Sequence, residues 1–320
     1  MSPRILVTGA VGQIGSELVV ELRQRYGDGN VVATDKAVTR SQVVPGVLEQ
    51  LDVMHYSSVE RAIKTHQVDT IFHLAAILSA AGEAHPDLAW DVNMDGLKNV
   101  LDACVRCGVQ KIFWPSSIGV FGHDTPKLKA PQQAPLHPTT MYGVTKVAGE
   151  LLSEYYSLKQ GLDVRSIRFP GLISSEARPG GGTTDYAVEI FYSALQKGSY
   201  SCFLREDTAL PMMYMPDALR ATIELMEAVS RRVKLHSGYN LAAMTFTPSQ
   251  LAAEIQKHLP SFKVTYSPDS RQEIADSWPE SIDDSAARED WGWKSRFGLE
   301  DMVDEMLERL SAKVSPAKDV

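Results

Sequence analysis

This sequence has few cysteines, no excess of positive charge and no long apolar run. Its 320 residues include three cysteines, and 32 Lys and Arg are outnumbered by 40 Asp and Glu, which gives a formal net charge of −8. Nucleic acids and anionic membranes bind basic faces, so we expect neither as a partner. The longest nearly apolar run, Ile71 to Ala81, is interrupted by His73 and Ser79 and is too short to cross a bilayer.

The amino terminus has no room for a targeting segment before the first strand-like run. Met1-Ser2-Pro3-Arg4 leads directly into Ile5-Leu6-Val7, so a signal or transit peptide is not expected. This favours a cytoplasmic setting, although a processed organellar form would have the same sequence.

The cysteines offer one spacing that is typical of chemical sites. Cys104 and Cys107 form a CxxC, which is found in redox motifs and in half of a zinc site. Their helical pattern stops at Gly108, and the carboxyl end of a helix dipole disfavours a thiolate. No second pair completes a zinc site. We interpret both cysteines as structural and predict no metal.

The first half of the chain alternates strand-like and helical patterns. Strands that are almost wholly apolar are expected where helices cover both faces of a sheet. The alternation therefore predicts an α/β fold with a doubly wound parallel sheet of the Rossmann type. The predicted strands are Ile5 to Thr8, Val31 to Asp35, Thr70 to Ala75, Lys111 to Pro115 and Val164 to Phe169, and the predicted helices are Gln13 to Tyr26, Ser57 to His66, Leu88 to Cys107 and Tyr142 to Lys159.

The regular alternation ends after Pro170. The glycine-rich segment Arg178 to Thr184 cannot sustain a regular element, and we expect a smaller substrate-binding lobe to begin near it. We place a dinucleotide-binding domain at residues 1–172, expect residues 212–244 to return to it, and assign most of residues 173–320 to the lobe.

A glycine motif follows the first strand and opens the first helix. Gly9, Gly12 and Gly15 lie where the chain must turn tightly and let a pyrophosphate approach the helix amino terminus. Asp35 ends the second strand 20 residues after Gly15, where a carboxylate can accept both ribose hydroxyls. That charge would repel a 2′-phosphate, so NAD is the predicted cofactor, while Lys36 leaves NADP open. The alternative is that the glycines serve only a turn.

A tyrosine and a lysine four residues apart suggest proton transfer. Tyr142 and Lys146 fall on one face at the start of a helix. A phenol has a pKa of about 10 and must reach roughly 7 or 8 to act as a base, which a neighbouring ammonium and a cationic nicotinamide can bring about. Ser116 and Ser117, at the end of the fifth strand, are placed to hold a substrate hydroxyl. The alternative is a Tyr/Lys pair on a solvated helix face.

Together these motifs resemble the extended branch of the short-chain dehydrogenase/reductase superfamily over essentially the whole chain. The resemblance implies that Ser117 is the catalytic partner of Tyr142 and Lys146, with Ser116 as a helper. It also implies that Asp52 and Val53 border the adenine and that Pro170 approaches the nicotinamide. The predicted cofactor-binding residues are Gly9, Gly12, Gln13, Ile14, Gly15, Asp35, Lys36, Leu51, Asp52, Val53, Leu74, Ala75, Ala76, Asn93, Tyr142, Lys146 and Pro170.

The second half of the chain narrows the substrate. Many sugar-nucleotide enzymes of this branch carry a diphosphate-binding arginine where this chain has Leu210. Several segments instead resemble the short-chain, metal-independent type of L-threonine 3-dehydrogenase, which implies oxidation of L-threonine to 2-amino-3-ketobutyrate. These segments are Leu78 to Glu83, Trp90 to Gly96, Gly180 to Tyr186, Ala275 to Pro279 and Trp291 to Trp293. The predicted substrate-binding residues are Ser79, Ser116, Ser117, Tyr142, Gly182, Thr183 and Thr184.

Several alternatives remain at this point. Thr183-Thr184 can be an ordinary polar turn, and Trp278 can belong to the core or to a lid. A sugar-nucleotide epimerase or dehydratase would use the same cofactor end, and a dinucleotide-sensing module could use the fold without a base. The resemblance further implies a homodimer that pairs through the helices beginning near Leu88 and at Tyr142.

Overall fold

Seven parallel strands form the central sheet of the computed structural model, which describes residues 2–38, 46–178 and 180–313. The strands of the described residues are β1 (Ile5–Thr8), β2 (Val31–Asp35), β3 (Leu48–Gln50), β4 (Thr70–His73), β5 (Lys111–Ser117), β6 (Asp163–Phe169), β7 (Gly171–Ile173), β8 (Ser199–Cys202), β9 (Leu210–Tyr214), β10 (Tyr239–Asn240), β11 (Met244–Phe246) and β12 (Lys263–Tyr266). The order in the central sheet is β10-β6-β5-β4-β1-β2-β3. The strand order reverses between β1 and β4, where ligands bind in open α/β sheets. The predicted Rossmann-type fold is confirmed.

Helices cover both faces of this sheet. They are α1 (Gln13–Tyr26), α2 (Tyr56–His66), α3 (Ser79–Ala84), α4 (Pro86–Trp90), α5 (Gly96–Cys107), α6 (Met141–Gln160), α7 (Tyr186–Lys197), α8 (Met215–Glu227), α9 (Pro248–His258), α10 (Arg271–Ser277), α11 (Ser285–Trp291) and α12 (Leu299–Lys313). Of the helices in the described residues, none is long and apolar enough to span a membrane.

The alternation of side chains along β1 explains how both faces are filled. Ile5 and Val7 belong to the core that includes α1 and α8, whereas Leu6 belongs to the core on the other face, with α2 and α5. Successive side chains of a strand point to opposite faces, so a strand buried on both faces must be apolar throughout.

The helix predicted from Leu88 to Cys107 is not a regular α-helix throughout. It begins at Pro86 as α4, passes through a π-helical turn at Asp91–Asp95 and continues as α5 from Gly96. A π turn contains an additional residue in the helix, and such turns occur frequently at functional sites. Here the turn contains the buried Asn93, whose side chain accepts a hydrogen bond from the loop after β4.

The C-terminal lobe has its own apolar core. A three-stranded sheet of order β11-β9-β7 and the parallel pair β12-β8 pack with α7, α9 and α12. Two elements between these lie against the central sheet instead: β10 pairs with β6, and α8 shares its core with α1. Trp291 and Trp293 also join that core. We therefore propose the domain division drawn from the sequence, with a short contribution from residues 287–293.

Candidate active site

The glycine loop lies at the carboxyl end of β1 and forms a close-packed turn into α1. Gly9 has φ +70°, and a Cβ atom there would lie 2.6 Å from the backbone nitrogen of Ala75. A Cβ at Gly15 would collide with the carbonyl oxygen of Gly9. The N-cap of α1, Gly12, contributes no side chain, which leaves the helix amino terminus open to an anion. This cradle fits the pyrophosphate of a dinucleotide.

Asp35 borders this loop at the end of β2. One carboxylate oxygen, Oδ2, accepts a hydrogen bond from the backbone N–H of Val11 at 3.1 Å, and Oδ1 accepts one from Ala37 at 3.2 Å. The carboxylate is thereby fixed beside the glycine loop, where the ribose of a bound dinucleotide would lie.

Lys36 and Asp52 form an ion pair next to Asp35. The Nζ of Lys36 lies 3.1 Å from Oδ2 of Asp52. Burial opposes ionisation of Asp52, but the Met54 amide and the Lys36 ammonium hold the pKa of this carboxyl below its usual range. Leu51 and Val53, on either side, are buried.

Lys146 is buried beneath Tyr142 on α6. Its Nζ donates to the carbonyl oxygen of Pro115 at 2.6 Å and lies 4.5 Å from the ring centroid of Trp114 and 5.5 Å from that of Tyr142. Burial lowers the pKa of Lys146 to about 7, with Glu150 opposing the change. Burial also raises the pKa of the Tyr142 phenol, which a hydrogen bond with Ser117 opposes.

The two serines at the end of β5 have different partners. The hydroxyl oxygen of Ser117 accepts a hydrogen bond from the Gly119 N–H at 3.1 Å, and the side chain lies in the same cavity as Tyr142. The hydroxyl of Ser116 donates to Oε1 of Glu150 at 2.6 Å. Ser116 therefore lines the cavity with its hydroxyl already engaged.

One cavity of about 140 Å³ brings most of the predicted reaction-centre residues together. This is below the 300–1,000 Å³ typical of pockets for drug-sized ligands, so the cavity suits a small substrate. The predicted residues that line it are Gln13, Ile14, Leu74, Ala76, Ser79, Ser116, Ser117, Tyr142, Lys146, Pro170, Gly182, Thr183 and Thr184. Trp278, Leu78 and Asp185 line it as well.

The remaining predicted residues lie outside this cavity. Gly9, Gly12, Gly15, Asp35, Lys36, Leu51, Asp52 and Val53 form the dinucleotide end described above, and Ala75 packs against Gly9. Asn93 is buried away from the cavity, and both polar atoms of its side chain are hydrogen-bonded. Its Oδ1 accepts from the Ile77 N–H at 2.8 Å, while Nδ2 donates to the Ile77 carbonyl and to Thr145 Oγ1, each at 3.1 Å. Asn93 thus holds the loop after β4 against α6.

Asp185 was not among the predicted site residues. Its Oδ2 accepts hydrogen bonds from the N–H groups of Gly181 and Gly182 at 2.7 and 2.6 Å. Burial raises the pKa of this carboxyl, and the glycine amides oppose that change. Within the described residues no Lys or Arg forms an ion pair with it. An acid directly after a run of glycines and threonines was the signal in the sequence.

Thr183 lies beside Asp185 with an unused hydroxyl. The side chain is 1% exposed, and Oγ1 has no hydrogen-bond partner in the described part of the chain. Buried hydroxyls normally have a hydrogen-bond partner, so this atom is a candidate to bind a group that enters the cavity.

Comparison with known proteins decides the family. The model of the NAD dependent epimerase/dehydratase family matches residues 5–242. The chain belongs to this family. A relative from Staphylococcus haemolyticus, described as an uncharacterized epimerase/dehydratase, is 50% identical over 313 residues, which are 97% of this chain and 98% of the relative.

Solved structures of similar proteins cover nearly the whole chain. The GalE-like L-threonine dehydrogenase from Cupriavidus necator, in its holo form, is 50% identical with a TM-score of 0.94, over 96% of this chain and all of that one. A monomeric L-threonine 3-dehydrogenase from a metagenome is 48% identical with a TM-score of 0.94, over 97% and 99% of the two chains. The predicted family resemblance is confirmed.

NAD is the cofactor of this epimerase/dehydratase family member. The glycine cradle and the carboxylate of Asp35 fit its pyrophosphate and ribose, and Tyr142 and Lys146 lie at the carboxyl edge of the same sheet.

Proposed function

We propose that the protein oxidises L-threonine at the β-hydroxyl to 2-amino-3-ketobutyrate, with formation of NADH. The observation that carries this proposal is that one small cavity brings together a Tyr/Lys/Ser set and the buried Asp185 carboxylate, which no Lys or Arg of the described residues pairs with. The similarity to two L-threonine dehydrogenases at 48–50% identity supports it.

In this proposal Tyr142 is the base. Its phenolate removes the proton from the threonine β-hydroxyl, and Ser117 orients that hydroxyl and stabilises the negative charge that develops on oxygen. Lys146 favours the phenolate because its ammonium lies 5.5 Å from the ring centroid. Bound NAD supplies the acceptor for the hydride that leaves the β-carbon.

The other side of the cavity is suited to the two charges of an amino acid. Oδ2 of Asp185 is held by two glycine amides, which leaves Oδ1 to accept from an ammonium. The hydroxyls of Ser79, Thr183 and Thr184 can donate to a carboxylate. The substrate ammonium would also neutralise a carboxylate whose burial is otherwise costly.

The β9 strand argues against a sugar nucleotide as substrate. Leu210 is fully buried in the core of the lobe, so the position at which many relatives carry a diphosphate-binding arginine offers neither a charge nor an open side chain here. We therefore prefer the dehydrogenase to the epimerase or dehydratase.

The primary test is reduction of NAD at 340 nm by the purified protein. L-threonine should give net NADH, whereas UDP-sugars should give none, because an epimerase recycles its cofactor within each turnover. Net NADH with a UDP-sugar but not with L-threonine would contradict the proposal.

The role of Asp185 has a test of its own. Asp185→Asn should raise KM for L-threonine by about tenfold or more, since a charge-assisted hydrogen bond contributes roughly 1.5–3 kcal/mol. It should leave any oxidation of 3-hydroxybutyrate, which lacks the ammonium, within about twofold of the unmodified protein. An equal loss with both substrates would mean that Asp185 only supports the glycine loop.

We also propose that the protein forms a homodimer through α6. Val144, Leu151, Tyr155 and Leu158 are exposed at spacings of seven, four and three, which place them in one stripe, and Leu158 is 71% exposed. A contiguous exposed apolar stripe of this kind marks an interface.

The dimer proposal is tested by light scattering after gel filtration. Leu158→Glu should yield a monomer, while Val229→Glu, at an exposed position after α8, should not change the mass. A monomeric unmodified protein, as described for the metagenome relative, would refute the proposal.

A further inference from the structure

Within the described residues, three charged side chains lie close together at the adenosine end of the cofactor site. Asp35 ends β2, Lys36 follows it, and Asp52 follows β3, which pairs with β2 so that Asp35 lies opposite Gln50. The Leu51 N–H donates to the carbonyl oxygen of Asp35 at 2.8 Å, which fixes the two chain ends side by side. The charges are therefore close together because of the strand register.

A lysine at this position would ordinarily favour NADP. The 2′-phosphate of NADP adds a dianion to the ribose that Asp35 borders, and a basic side chain directly after that acid is within reach of it. Lys36 has the length and freedom for this contact, since 69% of its side chain is exposed. The sequence alone thus gives two opposite signals for the cofactor.

The ion pair with Asp52 resolves the conflict. Asp52 is the fixed member: its Oδ1 accepts from the Met54 N–H at 3.0 Å, and only 23% of its side chain is exposed. Lys36 is the exposed member, and its Nζ lies 3.1 Å from Asp52 Oδ2. A further hydrogen bond, from Gln50 Nε2 to the Lys36 carbonyl oxygen at 3.1 Å, holds the base of the lysine against β3.

We infer that Asp52 withholds the Lys36 ammonium from a 2′-phosphate, so that two carboxylates set the preference for NAD. Asp35 repels the phosphate directly, and Asp52 removes the cation that would otherwise attract it. This inference rests on NAD as the cofactor and not on the identity of the substrate. It can therefore fail while the proposed threonine oxidation stands, and the reverse is equally true.

Binding of NADH and NADPH, measured by nicotinamide fluorescence without substrate, tests the inference. Asp52→Asn keeps an acceptor for the Met54 amide and removes the charge that holds Lys36. We expect the ratio of the NADPH to the NADH dissociation constant to fall by roughly three- to tenfold, the range for one exposed ion pair to a dianion. This decrease in the ratio should be smaller in 0.5 M salt, because salt screens exposed charges. An unchanged ratio would overturn the inference.

A double-mutant comparison separates this role from direct repulsion of the phosphate by Asp52. If Lys36 mediates the effect, Asp52→Asn should change the ratio by less than twofold when Lys36→Met is also present. A fall of the same size in both backgrounds would show that Asp52 acts on the phosphate itself and would refute the assigned role of Lys36.

A matched control removes the same charge elsewhere. Asp207→Asn, at an exposed position between β8 and β9, should leave both dissociation constants unchanged. A fall in the ratio with Asp207→Asn as large as with Asp52→Asn would trace the effect to net charge and would also overturn the inference.

Discussion

A buried ion pair between Glu150 and Arg168 lies below the candidate active site. Its contacts determine how much stability should be lost when one member is removed. Glu150 lies one turn after Lys146 on α6 and is 2% exposed at its side chain. Its Oε1 accepts from Ser116 Oγ at 2.6 Å and from Arg168 Nε at 2.8 Å, and its Oε2 accepts from Arg168 Nη2 at 2.7 Å. These bonds tie the helix of Tyr142 to the strand of Ser117.

Glu150→Ala should destabilise the protein by about 4 kcal/mol. Removing one member of a buried pair costs about 3–5 kcal/mol, because the other charge stays buried without compensation. The cost should not reach the upper end, since Arg168 keeps two acceptors, the Gln132 carbonyl oxygen at 3.0 Å and Asn240 Oδ1 at 3.1 Å. A loss of this size is a large fraction of the ~5–15 kcal/mol that usually stabilises a protein.

The assay is urea unfolding followed by far-ultraviolet circular dichroism. The double variant Glu150→Leu with Arg168→Met should recover most of the loss, because no charge is left buried. Ser116→Ala should cost less, about 1.5–3 kcal/mol, because it removes a single hydrogen bond to a charged carboxylate, and it should leave KM for substrate within twofold. A loss below ~1 kcal/mol for Glu150→Ala, or a double variant as unstable as the sum of the single ones, would refute the reasoning.

Three further outcomes follow from the same geometry. Tyr142→Phe should abolish oxidation yet bind NADH within twofold of the unmodified protein, as fluorescence titration would show. Gly149→Ala should cost about 1–3 kcal/mol in urea unfolding, since its Cβ would lie 2.5 Å from the ring of Trp114, whereas Gly29→Ala, with no atom within 4 Å, should cost far less. Burial lowers the pKa of His73 to about 3, so below pH ~6.5 the unfolded chain binds a proton there and the folded chain does not. The free energy of unfolding should therefore fall by about 1.4 kcal/mol for each pH unit below ~6.5. His73→Asn should make the free energy of unfolding less dependent on pH, measured from pH 7.5 to 4.5.

The features that could be predicted from the sequence are those formed by residues that lie close together in the chain. The glycine motif, Asp35 and the Tyr142/Lys146 spacing each fit within one turn or one strand-loop-helix unit, and the apolar periodicity identified the parallel sheet. These features predicted the fold and the cofactor, and the comparisons confirm both. The catalytic roles assigned to the residues stay predictions.

The parts that could not be predicted depend on contacts between distant segments. Ser116 and Ser117 are adjacent and chemically alike, and the family resemblance singled out Ser117, but the pairing of Ser116 with Glu150 joins segments 34 residues apart and was not predicted. The Lys36–Asp52 pair depends on the register of β2 against β3. The π turn at Asp91–Asp95 was not predicted, since residues 88–107 were interpreted from the sequence as one uninterrupted helical pattern.

In the proposed mechanism, the charges around Tyr142 require the cofactor to be bound before this residue can act as a base. In the protein alone the pKa of the phenol is raised and that of Lys146 is lowered to about 7, so burial favours the neutral form of both groups. Lys146 has a carbonyl and an aromatic ring as neighbours and forms no ion pair in the described part of the chain, so its charge is only weakly held. A second positive charge in the cavity would stabilise the phenolate and oppose the ammonium, and the phenolate in turn favours the ammonium. Tyr142 and Lys146 are thus expected to ionise as a pair, and proton removal becomes possible only once the nicotinamide end of the site is filled.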